Sequence, residues 1–110
     1  MEQALLVITN LADVASAQML ARALVEQRLA ACVNILPAVQ SIYRWNGAVE
    51  QAAEVTLLIK TTIARYAELE QAIRALHPYE LPEVIAVPVS AGLPAYLEWI
   101  AQETKKETDV

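Results

Sequence analysis

The sequence predicts a single α+β domain in which strands and helices alternate. Two observations carry this. Short, nearly continuous apolar runs (residues 4–9 and 84–90) are separated by segments of helical period. An Asn46-Gly47 dipeptide also stands between two alternating runs, the strongest short-range signal for a hairpin. A chain of 110 residues suits one core, assigned here to residues 1–103, with a polar tail at 104–110.

Residues 4–9 (ALLVIT) read as a buried strand. Asp13 offers an N-cap to a helix of about four turns, on which Ala17, Leu20, Leu24, Val25 and Leu29 fall at helical spacing and Arg22 and Glu26 pair outside. Residues 31–61 form the hairpin. Val39, Ser41, Tyr43 and Trp45 share one face of its first arm, while Val49, Gln51, Ala53, Val55, Leu57 and Ile59 share a face of the second. Pro37 lacks an amide hydrogen, so the first arm is an edge strand or is bulged there.

Thr61 or Thr62 caps a second helix bearing Tyr66, Leu69, Ile73 and Leu76, and His77-Pro78 ends it, since a residue before proline leaves the α region. Residues 84–90 make the last strand, with Pro88 marking another edge, and Pro94 opens a third helix carrying Tyr96, Leu97, Trp99 and Ile100. The order β-α-β-β-α-β-α suits a ferredoxin-like βαββαβ sandwich with a long hairpin and an extra C-terminal helix. In that arrangement the second and fourth strands are the edges, where Pro37 and Pro88 fall.

Apolar residues make up 56% of the chain, more than one small domain readily hides. Each hairpin arm extends roughly 50 Å, against a diameter of roughly 35 Å for a compact chain of this length. A bare two-stranded ribbon is marginal in water, so the tip is expected to rest on sister chains, with Tyr43, Trp45, Tyr79 and Trp99 as interface anchors. No uncharged apolar run reaches the ~18 residues of a spanning helix, and the N-terminus has no basic leader. A net charge of −5 argues against nucleic acid. A single cysteine agrees with a reducing compartment. With two glycines, no phosphate loop and no nucleophile–base motif, the chain does not read as an enzyme.

Four segments in order, residues 29–34 (LAACVN), 41–47 (SIYRWNG), 54–55 (EV) with 59–62 (IKTT), and 77–83 (HPYELPE), resemble the CutA1 divalent-cation tolerance proteins over residues 5–101. The resemblance implies a ferredoxin-like homotrimer similar in plan to PII signalling proteins. It also implies a cytoplasmic setting and binding of Cu(II) and other divalent cations, with no required cofactor. Family copper ligands include a Cys at the end of the first strand and two adjacent His before Pro-Tyr. Thr9 and Leu76 stand at two of those positions, so His77 alone carries over, and affinity is expected to be modest.

His77 reads either as a ligand joined by Glu80 and Glu83 or as a helix-terminal imidazole bonded to a carbonyl. Cys32 reads as a small buried hydrophobe or a soft-metal ligand. The resemblance favours a trimeric metal-tolerance protein. The alternative is a PII-like signalling or scaffold module holding a small metabolite at an inter-subunit cleft.

Overall fold

The computed structural model describes residues 2–106. Its strands are β1 (Ala4–Leu11), β2 (Cys32–Trp45), β3 (Ala48–Thr62) and β4 (Ile85–Pro88). Its helices are α1 (Val14–Glu26), α2 (Tyr66–Leu76) and α3 (Pro94–Glu103). The architecture is mixed α+β. One antiparallel sheet runs in the order β2-β3-β1-β4, so the strands bearing Pro37 and Pro88 are its edges, as expected.

Alternation along the central strands decides where the core lies. Leu5, Val7 and Leu11 of β1 and Val55, Leu57 and Ile59 of β3 point to one side, under Leu20 and Leu24 of α1 and Leu69 and Ile73 of α2. The other side presents Leu6, Ile8, Asn10, Thr56, Leu58 and Lys60, all partly exposed. The three helices do not share one face. Helix α3 packs Ile100 and Leu97 on Ala4 and Ala31 at the end of the sheet.

Asp13 caps α1 as expected, its Oδ1 accepting from the Ser16 amide at 2.7 Å. The helix ends sooner than its apolar spacing suggests. Arg28 adopts a left-handed φ of 59°, and the chain turns so that Leu29 is buried from beyond the helix, its amide bonded to Leu24 O. Neither Thr61 nor Thr62 caps with its side chain. Thr62 opens the 3₁₀ turn Ile63–Arg65 without a side-chain bond, while Thr61 faces the core and donates its hydroxyl to Leu29 O at 2.7 Å.

Asn46 and Gly47 take φ of 50° and 80°, the two positive values of a type I′ turn. Leu36 pairs with Thr56 and Val39 with Glu54, so Pro37 and Ala38 together oppose Val55. Ala38 takes φ 64°, and this bulge has a consequence for the hairpin. Before it, Val33 and Ile35 pair with Ile59 and Leu57 on the core side. After it, Val39, Ser41, Tyr43 and Trp45 pair with the even-numbered residues of β3, on the side away from α1 and α2. One extra residue re-aims both aromatics.

The ribbon gives the chain a long axis of 49 Å against 27 and 22 Å, and its tip stands clear of the core. Helix α3 ends at Glu103. Thr104 is buried and donates its hydroxyl to Ile100 O at 2.8 Å, and Lys106 reaches Glu68 at 3.2 Å. The remainder of the polar tail, 107–110, lies outside the described residues.

Candidate functional site

The re-aimed face of the hairpin and the connector from α2 to β4 enclose a cleft of ≈ 870 Å³. Tyr43, Trp45 and Glu54 line it from the hairpin, Asn10 from β1, and Tyr79, Glu80 and Glu83 from the connector. Pro78 and Pro82 limit the freedom of that connector.

His77 starts the connector. It is the C-cap of α2, with ψ 131°, and its amide still bonds Ile73 O. The ring is buried, 7% exposed. Nε2 lies 2.6 Å from Asn10 O, and a carbonyl only accepts, so Nε2 carries the proton. Nδ1 then accepts from the Tyr79 amide at 3.2 Å. Both ring nitrogens are engaged in positioning the connector, and a metal reaches either only when one of these bonds opens.

Tyr79 stacks edge-on against His77, centroids 4.6 Å apart, and donates its hydroxyl to Glu54 Oε2 at 3.0 Å. Burial, and then the bond to Glu54 and its negative charge, push the Tyr79 phenol up to about 12. Asn10 is the hub of the opposite wall. Its carbonyl takes His77, its Nδ2 donates to Glu83 Oε1 at 2.9 Å, and its Oδ1 accepts from the Thr56 hydroxyl at 2.6 Å. Sequence reasoning overlooked Asn10 and Thr56. The available signal was an amide ending an otherwise apolar strand, where an unpartnered side chain is costly.

The structure thus gathers Tyr43, Trp45, Tyr79, Glu80 and Glu83 around one cleft, with His77 behind Tyr79. Cys32 lies elsewhere. It pairs with Lys60, which pairs with Leu6, four residues or roughly 13 Å along β1 from Asn10. Its sulfur contacts Lys60 Nζ at 3.8 Å. Trp99 is on α3, stacked on Tyr96 at 5.5 Å. Thr9 is fully buried in β1, and its hydroxyl has no partner among the described residues. Among those residues no group of three or more His, Cys, Asp or Glu is placed to hold a metal ion.

The chain is thus an antiparallel α+β domain with an overhanging hairpin and a cleft lined by aromatic rings and carboxylates. The sequence model of the CutA1 divalent ion tolerance protein family matches residues 5–103, and the chain belongs to that family. It is 45% identical over 104 residues to the divalent-cation tolerance protein CutA of Thermus thermophilus, covering 94% of this chain and 99% of that protein. It is 47% identical over 93 residues to human protein CutA, covering 84% of this chain but 52% of the relative, so it spans about half the length of that protein.

The solved Thermus structure superimposes with a TM-score of 0.90 at 44% identity, covering 96% of this chain and all of that one. An Archaeoglobus fulgidus structure, described as a periplasmic divalent cation tolerance protein, matches with a TM-score of 0.89 at 32% identity over 93% of this chain and 99% of its own. The Thermus and Archaeoglobus proteins are named for divalent-cation tolerance, and an Arabidopsis relative is called chloroplastic. No helix among the described residues is long and apolar enough to cross a membrane.

Proposed function

We propose that this chain acts without catalysis in tolerance to divalent cations, as a ferredoxin-like homotrimer in the cytoplasm that binds Cu(II) and related ions with modest affinity. The observation that carries this reading is family membership across residues 5–103, joined to a cleft whose charged lining residues are all carboxylates. Glu80 and Glu83 supply oxygen donors at its rim, and His77 supplies an imidazole once the Tyr79 amide lets go, a donor set that copper(II) accepts. Breaking a formed bond to reach the metal keeps the affinity modest. Cys32, roughly 13 Å along the sheet, serves this site only through another subunit.

Assembly is supported by the uncovered side of the sheet. Leu6 and Ile8 pair with Val87 and Ile85 there, and Leu58 adjoins them. Tyr43 and Trp45 extend this side outward, and Trp99 stands 41% exposed on α3. Apolar side chains gathered on one exposed face mark an interaction surface.

Calorimetric titration with Cu(II) tests the metal reading. Saturable heat is expected that His77→Ala reduces and that Glu80→Gln with Glu83→Gln reduces independently. Identical isotherms for wild type and both variants would remove these residues from the proposal.

A further inference from the structure

We propose that Tyr79 is a latch on His77, closed by its bond to Glu54, and that a divalent cation takes the imidazole only while the latch is open. The identity of the visitor rests on the metal reading above. The latch itself rests on the contacts that the connector makes with the hairpin and with β1.

The two ring nitrogens of His77 are not equally available. Nε2 donates its proton to Asn10 O at 2.6 Å, and Asn10 is held in the sheet by its pairing with Thr56. A protonated nitrogen has no lone pair to offer a metal. Nδ1 keeps its lone pair and accepts from the Tyr79 amide at 3.2 Å, the longer of the two contacts. Freeing Nδ1 means moving Tyr79, which lies in the connector, and leaves the sheet as it is.

Tyr79 covers Nδ1 twice, with its amide and with its ring, which stands edge-on to the imidazole at a centroid distance of 4.6 Å. What holds it there is at the far end of the side chain. The hydroxyl donates to Glu54 Oε2 at 3.0 Å, so a residue of β3 keeps the connector closed. A hydrogen bond to a carboxylate is roughly twice as strong as a neutral one. Glu83 is bonded to Asn10 Nδ2 at 2.9 Å, and Leu81 between the two ties is exposed. Release of the Tyr79 hydroxyl therefore frees the amide without disturbing Glu83. A ligand that binds one of two states has its apparent affinity scaled by the population of that state, so weakening the latch strengthens metal binding. A merely structural role has the opposite sign, because a disordered wall binds more weakly.

His77 is the single histidine of the chain, so diethyl pyrocarbonate reports on it alone through the absorbance of carbethoxyimidazole, with no metal present. At fixed pH the wild type is expected to react slowly. Tyr79→Phe and Glu54→Ala are each expected to react at least roughly fivefold faster, with circular dichroism and particle mass unchanged. The double variant is expected to react no faster than the quicker single one, because both remove the same bond. In Cu(II) calorimetry Tyr79→Phe is expected to bind at least roughly fivefold more tightly than the wild type. Equal carbethoxylation of wild type and both variants overturns the latch, as do additive effects in the double variant. Weaker Cu(II) binding by folded Tyr79→Phe overturns its control of the metal. Absence of Cu(II) heat in every protein would strike the metal reading, whereas the carbethoxylation rates, measured without metal, still decide the latch.

Discussion

At its base the β2–β3 ribbon carries Val55, Leu57 and Ile59 beneath α1 and α2, none more than 5% exposed. Further out the same two-residue alternation carries Val49 at 66% exposure, with Ile42 beside it at 70%. The two-residue period is unchanged, although this face carries Val49, Gln51 and Ala53 toward the tip against Val55, Leu57 and Ile59 at the base. The cover changes as well, because the helices end and the ribbon continues. The bulge at Pro37 and Ala38 marks the boundary and turns the odd-numbered face of β2 from the core to the cleft. An alternating pattern therefore specifies a strand, while its burial depends on elements elsewhere in the chain or in another chain.

Substitutions at matched positions sharpen that contrast. Leu57→Ala opens a cavity under both helices and is expected to cost about 2–5 kcal/mol in chemical denaturation, whereas Val49→Ala should cost less than about 0.5 kcal/mol. A large loss at Val49 would extend the subunit contact to both faces of the tip. Gly47→Ala places a Cβ at φ 80° with no neighbour within 4 Å, so the penalty is purely conformational, about 1–2 kcal/mol. A neutral outcome in thermal denaturation would mean that the tip rearranges freely.

Thr9→Val works in the opposite sense. It removes a buried hydroxyl with no partner among the described residues and keeps the shape, so stability should rise by about 1 kcal/mol. Destabilisation would reveal a partner for that hydroxyl. The smallest effect is spectroscopic. The Tyr79 phenol is raised to about 12, so folding favours its neutral form. That contribution is intact below pH 10 and fades as pH rises through the folded value near 12. Absorbance at 295 nm should show one tyrosine ionising near pH 12, a step absent from Tyr79→Phe.

Much of the fold was legible because its signals are local. The Asn46-Gly47 turn, the edge prolines, the Asp13 cap and the His77-Pro78 stop each act within a few residues. The end of α1 was not legible, because Arg28 adopts a left-handed conformation that glycine usually announces. The role of Thr61 was hidden for another reason: its hydroxyl bonds a carbonyl 32 residues away. The cleft was partly legible. Its aromatic and acidic residues stood out in the motifs, but Asn10 joins residues 67 and 73 positions distant, and no local pattern encodes such pairing. The engagement of both His77 nitrogens was likewise a matter of tertiary contact.

An apolar sheet face without cover and a ribbon tip beyond the core both call for a neighbouring chain. Light scattering coupled to size-exclusion chromatography at micromolar concentration measures this directly for a chain of 12.1 kDa. A single species of about three times the chain mass is predicted, held together chiefly by burial of apolar surface. A well-folded particle at the mass of one chain would contradict it.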